Sequence, residues 1–347
     1  MHKLPYKLGQ LIGEGTFGRV HIGTRCIDAE RDDPFKDWPE QIAIKVEPRW
    51  IEHRQLRNEY NVLQQLQGST GIPRCHFFHA NREGTHYLGL ELLDTTIDDL
   101  FNICDKRFTL KTVVLVVDAM LSRLERVHTA GFVYRDVKPT NFLIRAMPTT
   151  RTEQRLQDIY IVDFGLAQRM GDQTRPGKMV GTLRYSSVNA MNGNAQTPSD
   201  DIESLAYVML YLLNGRLPWQ GTVARDPDRK LAKILLKKER MHIEQVCYGL
   251  PPQLLEFVRH ARSRHVQPGE LPDYKLLRRL LRQALVATGN VYDGEFDWTP
   301  LALRALDPVG AGLRQLALRS EDRSIMCDSI VVSTGTRQMS MLSHPTI

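Results

Sequence analysis

Cysteine is scarce and unpatterned in this chain. Five are spread over 347 residues, Cys26, Cys75, Cys104, Cys247 and Cys327, an odd number with no Cys-x-x-Cys pair. That excludes a disulfide framework and a sequence-local zinc site, and predicts a reducing compartment. Long apolar runs are missing too. The longest, LAYVMLYLL (Leu205–Leu213), is far too short to cross a bilayer and predicts a buried core helix. The opening MHKLPYKLGQ has no apolar core of signal-peptide length, and SHPTI at the far end carries no prenylation box. No membrane anchor is expected. No internal repeat is apparent, which speaks against a solenoid.

Charge of one sign is in modest excess. The net charge is +6, with 42% hydrophobic and 25% charged residues, an ordinary globular composition. The length exceeds one compact core and predicts two lobes or domains. Much of the basic excess sits in RHARSRH (259–265) and LLRRLLRQAL (276–285). The second run mixes leucine with arginine as an amphipathic helix with a solvated basic face does. Aromatic residues do not interleave there, so nucleic-acid binding is not expected; attraction to phosphate-type anions is the sharper reading.

What is present falls into two unlike parts. LGQLIGEGTFGRVHIGT (8–24) reads as strand, glycine turn, strand, and 26–41 as a polar surface loop. IAIKVE (42–47) alternates as a half-buried strand, and THYLGLELL (85–93) reads as another strand. Between them, 52–68 has helical spacing at Leu56, Tyr60, Leu63 and Leu66, with Gly68 placed to end it. Beyond residue 93 helices dominate. The best of them covers 108–131, with Thr109 as N-cap, Phe108 stapled to Val113, and Gly131 as the stop. DIYIVDFG (158–165) is a short strand, and 200–298 holds several more helices. From 299 aromatics vanish, and 319–347 is expected to be a flexible tail.

Four motifs carry chemistry. Gly13-Glu14-Gly15-Thr16-Phe17-Gly18-Arg19-Val20 is a glycine loop between two strands, where bare backbone can approach phosphates. A following helix would point to a dinucleotide fold; here a strand follows. Ile42-Ala43-Ile44-Lys45 puts a lysine inside an apolar strand, where it needs an anion. Glu59 on the next helix can supply one. VYRDVKPTNFLI (133–144) packs Arg135, Asp136, Lys138 and Asn141 between apolar anchors. Asp136 can orient a substrate hydroxyl, Lys138 can neutralise a transferring phosphoryl group, and Asn141 can ligate a metal. Asp163-Phe164-Gly165 completes the set, with Asp163 able to chelate Mg²⁺.

In this order and spacing the four motifs resemble the eukaryotic protein kinase superfamily over about 1–298. The usual Ala-Pro-Glu is missing. In its place stand GTLRYSSVNA (181–190), DDIESLAYVMLYLLNGRLPWQG (200–221) and FDW (296–298), which look like the casein kinase 1 family. ELLDTTIDDLF (91–101) and LQGSTGIP (66–73) agree, and Lys138-x-x-Asn141 with Gly181-Thr182 is the serine/threonine form. The resemblance implies an α+β, bilobal kinase fold: a small β-rich lobe over 1–93, a larger helical lobe over 94–298, and a C-terminal extension over 299–347. It implies ATP and Mg²⁺ as cofactors. Lys45, Glu59, Asp136, Lys138 and Thr182 become catalytic candidates, and Asn141 and Asp163 metal ligands.

By the same resemblance, nucleotide would meet Ile12, Gly13, Glu14, Gly15, Thr16, Phe17, Gly18, Val20, Ala43 and Lys45 from the first lobe. Leu90, at the gatekeeper position, Glu91 and Leu93 at the hinge, and Leu143 and Val162 beneath the base would complete its surround. Asp99 would reach ribose or substrate, and Asp201 would tie down the catalytic loop. Tyr134, where many related loops carry His, would stack on Phe164 behind the Asp-Phe-Gly turn. Arg184, Gly221 and Lys230 match a family phosphate pocket, so protein substrates with Ser or Thr near phosphorylated or acidic residues are expected. The segment from Asp163 to Gly181 has Thr174 as its only hydroxyl, so activity without upstream phosphorylation is expected. Ser329, Ser333, Thr334, Ser340 and Ser343 are candidate autophosphorylation positions. A monomer in the cytoplasm or nucleus is expected. Two alternatives stay open: a pseudokinase scaffold and a tau-tubulin-type kinase. The family's basic pair before Asp200 is Pro198-Ser199 here, and its cluster after Gly221 is thinned to RDPDRK.

Overall fold

The computed structural model describes residues 4–15, 18–26, 37–145, 156–172, 179–263 and 270–300. Thr16, Phe17, Thr174, most of the 26–41 loop and the expected tail lie outside them. The first lobe is a five-stranded antiparallel sheet, ordered β1 (Tyr6–Gly15), β2 (Gly18–Arg25), β3 (Gln41–Glu47), β5 (His86–Leu90), β4 (Cys75–Ala80). Gly18 turns the first hairpin at φ 144°, and a Cβ there would collide with the Val46 carbonyl. Glycine is therefore required where β2 passes β3.

β3 shows why its sequence alternates. Ile42 and Ile44 are fully buried with Tyr6 on one face, and Ala43 and Lys45 point the other way, half-buried. The helix α1 (Leu56–Leu66) lies along the sheet with Leu56, Val62, Leu63 and Leu66 buried. It is shorter than the expected 52–68 because 52–55 is bent, irregular chain, and Gly68 follows it at φ 80°. β4, CHFFHA, was invisible in sequence: most of it is half-buried on both faces, so it shows no clean alternation.

The second lobe begins past the linker at Glu91–Thr95. α2 (Ile97–Ile103) and α3 (Leu110–Thr129) lead it, and α3 has the expected Thr109 cap, accepting from Thr112 N. Phe108 packs edge-on to Phe101 at 5.0 Å and against Trp298 at 5.3 Å. α4 (Val188–Met191) and α5 (Pro198–Asn214) follow. α5 is buried from Pro198 through Leu212, as the apolar run predicted, and packs on α3. α6 (Pro227–Glu239), α7 (Ile243–Val246), α8 (Pro252–Ser263) and α9 (Tyr274–Ala287) complete the helices. α9 buries Leu277, Leu280, Leu281 and Leu285, and its outer Arg278 pairs with Glu125 at 2.5 Å. Two small ribbons lie under the first sheet: β6 (Phe132–Val133) with β9 (Gln168–Arg169), and β7 (Phe142–Ile144) with β8 (Ile159–Ile161). They present the loops 134–141 and 162–167. Among the described residues no helix is long and apolar enough to cross a membrane.

Candidate active site

Lys45 links the lobes. Its Nζ donates to Glu59 Oε2 at 2.7 Å and to Asp163 Oδ1 at 2.8 Å. Glu59 is 1% exposed, so β3, α1 and the Asp-Phe-Gly turn meet at one ammonium. Burial alone would drive the Lys45 pKa down. The Asp163 and Glu59 carboxylates outweigh it and hold the ammonium above its usual range. Burial likewise opposes ionisation of Asp163, and Lys45 and Lys138 overcome it, leaving the carboxyl below its ordinary value. Two of the three ammonium donors of Lys45 go to these carboxylates, which leaves one for a phosphate oxygen.

What sets α1 in this position is a residue absent from the expected site. Glu47, at the end of β3, is fully buried. Its Oε1 accepts from Gln55 N at 2.6 Å and Leu56 N at 3.0 Å, at the start of α1. Its Oε2 lies 3.0 Å from His86 Nδ1. A carboxylate there satisfies two orphan donors and complements the helix dipole. From α1 itself, Asn58 Nδ2 donates to the carbonyls of Gly165 at 3.0 Å and Ala167 at 2.9 Å. The helix is thus fastened to β3 at one end and to the Asp-Phe-Gly turn along its side. The signal for Glu47 was in the sequence: a carboxylate in an apolar strand needs donors, as Lys45 needed an anion.

The second centre is Asp136. Its Oδ1 accepts from Thr182 Oγ1 at 2.7 Å, and its Oδ2 lies 2.6 Å from Lys138 Nζ and 3.1 Å from Asn141 Nδ2. Asn141 Nδ2 also donates to the Asp136 carbonyl at 3.0 Å. Burial lowers the Lys138 ammonium, but Asp136 and Asp163 more than compensate and raise it. With one bond on Oδ1, Asp136 keeps an acceptor lone pair there for an incoming hydroxyl. Gly181, at φ 108°, lets the segment carrying Thr182 pass directly over the Arg135 carbonyl, where a Cβ would collide.

Arg135 and Asp163 both adopt left-handed backbone, φ 70° and 61°. Each such residue costs about 1–3 kcal/mol and persists only when its surroundings fix it. Arg135 is fixed by Asp201, whose Oδ1 accepts from Arg135 N at 2.8 Å and whose Oδ2 accepts from Tyr134 N at 2.7 Å. His128 Nε2, also buried, lies 2.8 Å from that second oxygen. The expected tie by Asp201 is present, and His128 was missed. Tyr134 needs a correction. Its ring meets Phe164 edge-on, at 5.6 Å and 77°, not stacked, and its hydroxyl donates to the Val162 carbonyl at 2.5 Å.

Around this centre Ile12, Val20 and Ala43 from the first lobe, and Leu143 and Val162 from the second, are all half-buried. Residues of pure core would be fully buried, so this apolar set faces a cleft. Leu90 is buried and pairs in register with Ala43. Glu91 N donates to the Arg74 carbonyl at 2.8 Å, and Leu93 is buried one turn of chain on. Gly13, Glu14 and Gly15 close β1, and Glu14 pairs with Arg19 across the hairpin at 2.9 Å. Asp99 has a structural task the sequence did not reveal. It completes a capping box on α2, with Oδ2 accepting from Thr96 N at 3.2 Å and Thr96 Oγ1 at 2.6 Å. The three phosphate-docking candidates lie on neighbouring segments. Trp219 Nε1 donates to the Arg184 carbonyl at 2.7 Å, Gly221 ends that turn at φ 72°, and Lys230 stands in the first turn of α6. The Arg184 guanidinium lies 5.8 Å from the ring centres of both Tyr185 and Tyr211.

The comparisons with known proteins agree with this geometry. Residues 6–267 match the protein kinase domain. Casein kinase I homolog 2 from Schizosaccharomyces pombe is 37% identical over 302 residues, which are 84% of this chain and 65% of that relative. The chain therefore spans just under two thirds of the relative's length. Two lobes, a lysine bridging both, and a catalytic-loop aspartate held by Thr182 stand together with these matches: the chain belongs to the protein kinase family and is similar in sequence to its casein kinase 1 branch.

Proposed function

We propose that the chain transfers the γ-phosphoryl group of ATP to serine or threonine of protein substrates, with Mg²⁺. The observation that carries this is the assembled Lys45–Glu59–Asp163 bridge beside an Asp136 with acceptor capacity to spare. A pseudokinase would be expected to lack one of these groups. The donor set suits the ion: the Asp163 carboxylate and the Asn141 amide are hard oxygen ligands, and Mg²⁺ shared with phosphates needs few from protein. Bound Mg²⁺·ATP supplies the phosphoryl group and spreads its charge. Lys45 takes a phosphate oxygen with its remaining donor. Asp136 orients the acceptor hydroxyl and takes its proton, and Lys138 neutralises charge between donor and acceptor.

We further propose a preference for acceptors preceded by a phosphorylated or acidic residue, received by Arg184, Gly221 and Lys230. The support is a planar guanidinium, a turn glycine and a helix-start ammonium on adjoining segments. The chain is also proposed to work without phosphorylation of its activation segment, since α1 is already fastened by Glu47 and Asn58. Phosphatase-treated protein from bacteria is assayed with radiolabelled ATP on matched peptides, one carrying phosphoserine three residues before the acceptor. Charge-assisted contacts of about 1.5–3 kcal/mol predict at least tenfold higher kcat/KM for that peptide. Arg184→Ala with Lys230→Ala should remove the gain and spare the plain peptide. Equal rates on the two peptides would sink the preference; no transfer to either would sink the activity.

A further inference from the structure

Lys238 is a lysine in an unlikely place for one. It sits in the last turn of α6 and is fully buried. Its Nζ donates to the carbonyls of Leu183 at 3.1 Å and Ser186 at 2.6 Å. The same nitrogen lies 4.8 Å from the centre of the Tyr207 ring and 4.9 Å from that of Trp219. Those two rings meet edge-on at 4.9 Å, so the ammonium sits in an aromatic corner with two carbonyls above it.

Those carbonyls belong to the stretch that follows Thr182. Every carbonyl from Thr182 to Arg184, and that of Ser186, is held. The Thr182 carbonyl accepts from Tyr185 N, Ser186 N and Ser186 Oγ, each at 2.9 Å. Arg184 is held by the indole of Trp219 at 2.7 Å. The carbonyls of Leu183 and Ser186 are held by Lys238. The far end is fixed as well: Glu203 accepts from Val188 N at 3.1 Å, and Ser187 Oγ donates to Asp200 at 2.6 Å. At the near end Thr182 touches Asp136. The turn is thus a rigid bracket with the acceptor-orienting carboxylate at one end and Lys238 as its pin.

A side chain kept only for packing would not be a lysine. Burial drives its amine down to about 7, against the pull of Glu203 and with the push of Arg262. An apolar residue of the same length would avoid that cost. What it could not do is donate to two carbonyls at once. In sequence Lys238 stands among other charges in LAKILLKKER (231–240), where nothing local sets it apart.

We propose that Lys238 is a positioning residue for the phosphoryl acceptor: it pins the Thr182–Ser186 turn in the shape against which the acceptor peptide lies. The inference rests on the kinase reading above. It concerns the acceptor side alone, because the nucleotide side is built from β3, α1 and the loop at Asp163.

The test measures KM and kcat for a peptide acceptor, and the affinity for ATP, in full-length wild type, Lys238→Met and Trp219→Phe. Lys238→Met should raise the peptide KM by about tenfold or more and lower kcat, with ATP affinity within about twofold of wild type. Trp219→Phe, which removes one N–H from the same turn, should shift peptide KM in the same direction by a smaller factor. That variant decides the matter if Lys238→Met does not fold. Wild-type peptide kinetics in Trp219→Phe and Lys238→Met, or an equal loss of ATP and peptide affinity in the folded variants, overturns the proposal. A wild type with no transfer at all overturns the kinase reading and this inference with it.

Discussion

Tyr134 is wholly buried, with its ring edge on Phe164 and its hydroxyl on the Val162 carbonyl. It touches the back of the Asp-Phe-Gly turn, and its hydroxyl also pairs with the Asn141 side chain. Tyr134→Phe leaves the ring and strands one carbonyl, a loss of about 1–3 kcal/mol. Thermal melting should fall by a few degrees while kcat stays within about threefold. A collapse of kcat with unchanged melting would put the hydroxyl in the chemistry after all. Lys238 gives a pH prediction. Its amine is near 7 when folded and has an ordinary value of 10.5 when exposed. Between those limits the unfolded chain binds more protons, so stability rises with pH; below about 7 both states are protonated and the effect is flat. The groups facing it are Glu203 and Tyr207 from α5 and Arg262 from α8. Urea midpoints from pH 6 to 9.5 should show wild type gaining on Lys238→Met as pH rises. Parallel curves would mean the amine keeps its proton throughout.

At the scale of elements, α1 is the piece whose position decides whether Lys45 is paired. Glu47 holds its first turn by two backbone bonds, and Asn58 holds its side to Gly165 and Ala167. Glu47→Leu leaves two buried donors unpaired and removes a charge favourable to the helix start, a loss of about 2–4 kcal/mol. It should also raise KM for ATP, because Glu59 rides on the same helix. Arg19→Ala breaks only the exposed pair with Glu14 and should change stability by less than about 0.5 kcal/mol. If Glu47→Leu behaved like Arg19→Ala, the fastening of α1 would lie elsewhere. Reading these elements from sequence worked where burial leaves a plain pattern. The alternation of β3, the capped apolar stretch of α3 and the unbroken apolar run of α5 all stand where they predict. β4 failed because most of it is half-buried on both faces, and the start of α1 failed because an irregular stretch of polar residues imitates a helix start.

At the scale of the whole molecule, the site is legible in sequence to the extent that its residues form short motifs. Lys45, Asp136, Asn141 and Asp163 announce themselves because each is a polar group among apolar neighbours. Most of their supports do not. Asn58, His128 and Lys238 pair with backbone groups or residues far along the chain, which no local pattern records, whereas Glu47 carried the signal of a carboxylate in an apolar strand. The fold brings both kinds to the seam between the sheet and the helical lobe. There Lys45 of the first lobe meets Asp163 of the second at 2.8 Å. The central claim is that this seam moves a phosphoryl group from ATP to a hydroxyl. The most direct measurement follows labelled phosphate from ATP into casein and peptide acceptors, with and without Mg²⁺, in wild type, Asp163→Asn and Asp136→Asn. The account predicts Mg²⁺-dependent label on serine or threonine in the wild type and at least a hundredfold loss in both variants. Label that is undiminished in the variants, or a wild type that binds ATP with Mg²⁺ and never transfers phosphate, would contradict it.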